Sequence, residues 1–437
     1  MQTEVVPYVA INLLETVQAL QETLSLAAKQ SLDRRFGALY DKVYRLDVLW
    51  CAWRQVRNKG GGPGIDGETI EYIENELGEM TFLHELRDEL QNETYRPEPV
   101  KRVWIEKPGQ KGARRPLGIP IVRDRVVQTA VRLVIEPIFE TNFLDCSHGF
   151  RPGRKPHDAI RQIERSITFE GYREVVDADL KSYFDSIPQD LLLELVGRRI
   201  SDRRVMSLIK AWLKCGVMEE GTVRKSTTGT PQGGCISPLL SNVYLHAFDK
   251  MWQLWGPKGT KLVRFADDFV ILCRHSGHKV LRRVREFLSR LRLTLNEEKT
   301  RVVRVERGFD FLGMTFRYAE TSSQATRLKY NCYRWPRRKA VGSLKEKIRH
   351  KIGRRYSLSL QQVIREINPI LRGWHNYFKV GHGEKVFRRL DRFVQNRLRI
   401  FVKRKRSDPG RGVRNVSSDL YDRLGLFRLA RKRVSCL

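Results

Sequence analysis

One stretch constrains this chain more than any other: Leu262-Val263-Arg264-Phe265-Ala266-Asp267-Asp268-Phe269-Val270-Ile271-Leu272. Two adjacent acids sit between two short apolar runs rich in β-branched residues. The pattern predicts a β-hairpin with Ala266-Asp267-Asp268 at or beside its turn. Its strands can bury apolar faces while the turn projects two carboxylates from the end of a sheet. Like charges repel and burial raises a carboxyl's pKa, so a paired acid there needs a reason. A bound divalent cation is one such reason, and an ordinary solvated Asp-Asp turn is the other reading. The stretch alone leaves both open.

Charge narrows the choice. Lys and Arg number 82 against 50 Asp and Glu, a net charge of +32 over 437 residues. Such an excess favours polyanions, above all nucleic acid. It is uneven: residues 317–437 hold 33 basic and 8 acidic residues, net +25, which leaves +7 for residues 1–316. Affinity built on that many cations falls steeply with salt. The seven cysteines include no C-x-x-C pair, so no zinc ribbon and no disulfide framework is expected. Cys273, His275 and His278 lie close in sequence but make a poor ligand set, and no metal is expected there. No secretory signal and no apolar run of transmembrane length is present, which points to a reduced, cytoplasmic protein.

In chain order, residues 1–57 have helical spacing, with Leu13, Leu14, Val17, Leu20 and Leu24 on one face and Tyr40, Val43, Leu46, Leu49 and Trp53 on another. A glycine-rich loop over 60–67 follows, either a linker or a loop whose N–H groups approach phosphates; it lacks the Gly-Lys-Ser/Thr ending of an ATP-binding loop. Val100–Ile105 alternates as a strand and leads to a basic hairpin tip, Lys107–Arg115. A helix is expected over Asp124–Phe139. Gly149-Phe150-Arg151-Pro152-Gly153-Arg154 is a second basic turn. Val175 and Val176 then open a strand that carries Asp177 and Asp179, a costly placement unless the acids are used. If this strand lies beside the Asp267-Asp268 hairpin, all three carboxylates meet at one sheet edge. A Pro-Gln-Gly-Gly turn at 231–234 enters a helix, and Phe309–Phe316 reads as one strand. The remainder reads as helical, with a capping box at Ser359–Gln362 and a helix whose basic side carries Arg388, Arg389, Arg392, Arg399 and Lys403.

The series of motifs resembles the reverse transcriptases encoded by bacterial group II introns. The order is the basic hairpin, Arg115-Pro-Leu-Gly-Ile-Pro120, Gly149-Phe-Arg-Pro-Gly-Arg154, Asp179 to Asp185, Thr230-Pro-Gln-Gly-Gly234, Phe265-Ala-Asp-Asp268, Asn296-Glu-Glu-Lys-Thr300 and Phe311-Leu-Gly313. Gly373-Trp374-His375-Asn376-Tyr377-Phe378 and the basic helix after it resemble the family's maturase domain. The resemblance implies an α+β right hand: an N-terminal extension over 1–67, fingers and palm with antiparallel sheet over 68–318, an α-helical thumb over 319–405 and a basic tail over 406–437. It implies that Asp179, Asp267 and Asp268 are catalytic carboxylates holding two Mg²⁺ ions, with Asp179 and Asp267 the direct ligands. Hard oxygen ligands suit that cation. Lys107, Arg115, Phe184, Gln232 and Gly233 would bind the dNTP, with Phe184 beneath the sugar to exclude a 2′-hydroxyl. Gly61, Gly62, Gly64, Arg151 and Arg154, with the five thumb cations, would bind RNA and template–primer.

The chain departs from its relatives at Phe265, where Tyr is usual, and it lacks the paired C-x-x-C motifs of their HNH endonuclease. It therefore resembles the short class without that domain, with no zinc. The implied function is RNA-directed DNA synthesis joined to intron RNA binding for splicing and retrohoming. The alternatives are a splicing cofactor with dispensable polymerase activity, or a domesticated relative in DNA repair or phage defence. Intron RNA, template RNA and a DNA primer or target are the implied partners, without a membrane, and the oligomeric state is left open.

Overall fold

The computed structural model describes residues 8–106, 112, 114–219, 221–224, 228–229, 233–321, 329–353, 357–405 and 418–430. Lys107 and Gln232 lie outside these residues. Among the described residues no helix is long and apolar enough to cross a membrane.

The sheet at the centre of the molecule is built from β3 (Glu174–Ala178), β6 (Thr260–Phe265), β7 (Asp268–Cys273) and β8 (Arg301–Arg304), in the order β6-β7-β3-β8 and antiparallel throughout. Its strands are apolar on both faces because the sheet separates two cores. Val176, Leu262, Phe269, Ile271 and Cys273 point into one core. Val175, Val263, Val270 and Leu272 point into the other. Register carries this alternation from strand to strand: Val175 pairs Leu272 and Val176 pairs Ile271.

The first core is covered by the helices Val122–Glu140, Ser237–Trp255 and Gly277–Arg290, with Tyr8–Gln30 and Leu46–Lys59 outside them. The N-terminal helix is an integral part of this layer. Its Val17, Leu24 and Ala28 are buried, and Gln21 donates to the Leu133 carbonyl at 2.9 Å. The fingers carry a second sheet, β2-β1-β4-β5, made of β1 (Val100–Glu106), β2 (Arg114–Ile119), β4 (Val217–Glu219) and β5 (Thr222–Arg224). Of the two short strands after the helix Arg203–Lys214, β4 pairs with β1 across a wide gap in sequence, which local patterning does not reveal, and β5 pairs with β4.

The second core joins the sheet to the helix Pro156–Phe169 and to the thumb. Here three sequence expectations are corrected. Phe309–Phe316 is two strands, β9 (Phe309–Phe311) and β10 (Met314–Glu320), because Leu312 (φ 47°) and Gly313 (φ 77°) reverse the chain between the paired Phe311 and Met314. The final third is not wholly helical: β11 (Tyr330–Pro336) pairs with β10 before the thumb helices Arg338–Ile352, Leu360–Phe378 and Glu384–Lys405. Residues 418–430, read as part of a basic tail, are folded onto the thumb. Tyr421, Leu426 and Leu429 are buried, and the Asp391 carboxylate accepts the N–H groups of Leu429 and Ala430, both at 2.9 Å.

Candidate active site

Phe265 pairs with Asp268, so Ala266 and Asp267 form the two-residue turn of the hairpin. The register between β3 and β7 runs to Ala178–Phe269, and the next positions along the two strands are Asp179 and Asp268. The structure therefore brings Asp179, Asp267 and Asp268 to one end of the central sheet. By alternation Asp268 shares the face of Asp177, which is ion-paired to Arg301 at 3.1 Å across β3–β8.

The turn is held rigidly from behind. Ala266 sits at φ 57°, a left-handed conformation that an alanine adopts at a cost of about 1–2 kcal/mol. Arg264, with no exposed side-chain surface, supplies the restraint. It donates to the Ala266 carbonyl at 2.9 Å, to Asn242 at 3.1 Å and to the Ser147 hydroxyl at 2.7 Å, and it forms a two-pronged pair with the equally buried Asp249. Gly149 is pressed against the same turn. A Cβ there would lie 2.2 Å from the Ala266 nitrogen, and the Gly149 carbonyl accepts from Asn242 at 2.8 Å. Sequence reading missed Arg264, which looks like an ordinary strand charge; its central place between two apolar residues is the only local signal.

Hydration lost against the surrounding protein raises the Asp267 carboxyl, and Asp179 raises it further. Asp268 stands open to solvent at the sheet end. Even so, the protein packed beneath it, then the charges of Asp267 and Asp179, push its carboxyl up to about 6, with Arg337 acting against them. Its exposure screens that repulsion. Asp179 is relieved by Lys299, whose ammonium lies 2.9 Å from its carboxylate. Lys299 belongs to the turn after the helix Gly277–Arg290, and Asn296 of that turn donates its N–H to the Asp179 carbonyl at 2.7 Å. Among the described residues no three His, Cys, Asp or Glu side chains converge as a ready-made cation cage. The chemistry of the donors nevertheless fits a hard divalent cation: three carboxylates at one sheet end, two of them raised first by lost hydration and then by neighbouring acids, a cost that a bound cation relieves.

The other expected site residues divide into several groups. Gly233, at φ 122°, packs on β2 so closely that a Cβ would lie 2.1 Å from the Gly118 carbonyl, which joins the turn to the fingers. Phe184 is half-buried, edge-to-face with Tyr183 at 5.2 Å, and the chain at Gly229 crosses directly behind it. Arg115 is exposed on β2. The glycine-rich loop is clamped rather than free: Gly64 abuts Ile121, and Arg125 donates both to Gly62 and to the Pro120 carbonyl, the latter at 2.8 Å. Gly61 and Gly62 are left exposed.

Arg388, Arg389, Arg392, Arg399 and Lys403 share the exposed side of one thumb helix. Arg151 requires correction as a nucleic-acid contact. Its side chain is buried, ion-paired to Glu140 at 2.5 Å, and bonded to the Leu144 and Ser147 carbonyls, both at 2.7 Å. It fixes the shape of its loop, and its guanidinium is committed to these protein partners. Arg154 is more open and is paired to the exposed Asp145 at 2.6 Å.

Residues 105–316 match the family described as reverse transcriptase (RNA-dependent DNA polymerase), and residues 341–416 match the group II intron, maturase-specific domain. The chain is similar to protein YkfC of Escherichia coli, 38% identical over 291 residues, covering 57% of this chain and 74% of that protein. It is also 38% identical over 239 residues to the group II intron-encoded protein LtrA of Lactococcus lactis, covering 54% of this chain but 39% of LtrA. A shorter similarity, 39% over 95 residues, links it to nuclear intron maturase 1 of Arabidopsis thaliana, over 22% of this chain and 13% of that protein. Two adjoining family matches in this order, on a hand whose palm sheet gathers three acids, place the chain in the group II intron-encoded reverse transcriptase and maturase family.

Proposed function

We propose that this protein copies RNA into DNA with the acids at the palm sheet end, and that it binds group II intron RNA through its thumb. The observation that carries the first part is the register that brings Asp179, Asp267 and Asp268 to one end of the central sheet. Asp179 and Asp267, with Asp268 beside them, would hold two Mg²⁺ ions. When bound, such ions favour ionisation of the primer 3′-hydroxyl and neutralise charge on the leaving pyrophosphate.

The chain's own contribution is positioning and charge. Arg264 and Gly149 keep the Asp267 turn in one place. Lys299 holds Asp179 and partly neutralises it. Phe184, five positions after Asp179, would lie beneath the sugar and select dNTPs, and Arg115, with Lys107 and Gln232, would receive the triphosphate and the template base. In an Asp267→Asn variant, primer extension on an RNA template with Mg²⁺ and dNTPs should fall roughly 10²–10³-fold, as when a charge-stabilising group is removed from a reacting centre. Full activity in that variant would remove Asp267 from the site.

The maturase-domain match and the exposed thumb cations support the second part. RNA would be held by phosphates and shape rather than by base reading. Splicing of the cognate precursor at low Mg²⁺ should need the protein and tolerate Asp267→Asn. Splicing that fails while RNA binding persists would overturn this division of roles.

A further inference from the structure

Phe150 is the one aromatic in the Gly149–Arg154 turn, and it is displayed rather than buried. It is 46% exposed and sits at φ 56°, a left-handed conformation that bulky residues rarely adopt. Both neighbours are locked. Gly149 is wedged against the catalytic turn, and Arg151 is tied to Glu140, Leu144 and Ser147. The backbone therefore presents the ring and gives it no core to enter.

Phe150 faces a cavity of about 470 Å³ between the helices Leu46–Lys59 and Val122–Glu140 and the start of the helix Ser237–Trp255. Lys59, Arg132, Arg151 and Arg154 line it, against the single acid Glu136, which pairs with Arg132 at 3.4 Å. Lys59 is exposed and immediately precedes the glycine-rich loop. Cys235, on the far wall, follows the Gly233-Gly234 turn that packs on the fingers. An exposed aromatic face among cations, one residue from the catalytic hairpin, suits a single nucleotide: its base can stack while its phosphates meet the positive wall.

We infer that this cavity receives the first unpaired template nucleotide ahead of the primer terminus, with its base stacked on Phe150 and its phosphates against Lys59, Arg132 and Arg154. This rests on the polymerase reading above. Charge complementarity and continuity with the Asp267 turn favour the template strand as the occupant.

The test uses the full chain, a DNA primer and an RNA template with 2-aminopurine at the first unpaired position. Binding of the unaltered protein should quench its fluorescence. Phe150→Ala should abolish the quench and weaken affinity for the overhanging template about tenfold, while affinity for a blunt-ended primer–template changes less than about twofold. Phe150→Trp should retain the quench. Phe150→Leu keeps the bulk on the same backbone, so its melting temperature should hold while its quench is lost. Unchanged quenching in both Phe150→Ala and Phe150→Leu, or equal loss of affinity for blunt and overhanging templates, would overturn the assignment. Primer extension by the unaltered protein separates the two failures: extension without a Phe150-dependent quench sinks the cavity assignment alone, and no extension at all sinks the polymerase reading.

Discussion

Asp268 shows how charge and stability are coupled at one residue. Its folded carboxyl is raised to about 6, above the ordinary Asp value, first by lost hydration and then by Asp267 and Asp179. A carboxyl raised on folding favours the folded state most below its ordinary pKa, and that contribution is lost as pH rises through about 6. A divalent cation reverses the balance because it binds the ionised acid and competes with protons. We therefore expect Mg²⁺ to raise the melting temperature more at pH 7.5 than at pH 5, and Asp268→Asn to shrink the difference. Equal Mg²⁺ increments at the two pH values in the unaltered protein would show that the acid cluster does not bind the ion. Arg264 is a second case at this scale. A fully buried cation is costly alone, but Asp249 and three further acceptors turn it into the anchor of the Asp267 turn.

Elements succeed here by close approach. The β6–β7 hairpin could form from its own sequence, but its position depends on the loop that carries Gly149. The missing Cβ is the condition for that contact, since any side chain would strike the Ala266 nitrogen. Gly149→Ala should cost about 1–3 kcal/mol in urea unfolding, the range for an overpacked contact. It should lower primer extension by more than that loss explains, because the displaced part is the Asp267 turn. A variant with unchanged activity would show that the turn tolerates the shift. The Leu312-Gly313 reversal has a related role. It gives β10 a partner in β9, and the Leu312 carbonyl accepts the Tyr377 hydroxyl at 2.9 Å, tying the palm to the thumb helix.

Across the whole molecule, charge is unevenly distributed. The acids gather at one end of the palm sheet, whereas the net +25 of residues 317–437 is carried partly on the open side of a thumb helix. The same helix buries Phe387, Leu390, Val394, Leu398 and Phe401, so its cations are presented by a packed scaffold. Replacing Arg389, Arg392, Arg399 or Lys403 singly with Gln should weaken RNA binding without regard to sequence. Each replacement of a phosphate contact should reduce the salt slope by about one, read from titrations across a series of salt concentrations. Unchanged slopes in all four would place the RNA elsewhere on the protein. The docked segment 418–430 strengthens this scaffold, because its Tyr421, Leu426 and Leu429 complete the thumb core.

The hand, the acid-bearing hairpin and its partner strand were legible in the sequence because they rest on short-range signals. Period-two alternation marks Leu262–Leu272, acids inside an apolar strand mark Asp179, and motif order carries the rest. The pairing of β4 with β1 and the docking of 418–430 were not legible, since those partners lie far apart along the chain, and the β9–β10 reversal was missed because a left-handed turn at Leu312-Gly313 interrupts an apolar run that otherwise reads as one strand. The same limit separates Arg151 from Arg389. Both are arginines in basic stretches, but folding surrounds one with Glu140 and two carbonyls and leaves the other in water. Residue type and spacing specify which chemistry is on offer. Burial, partners and close approach decide which of those groups can use it, and these arise only when distant segments pack together.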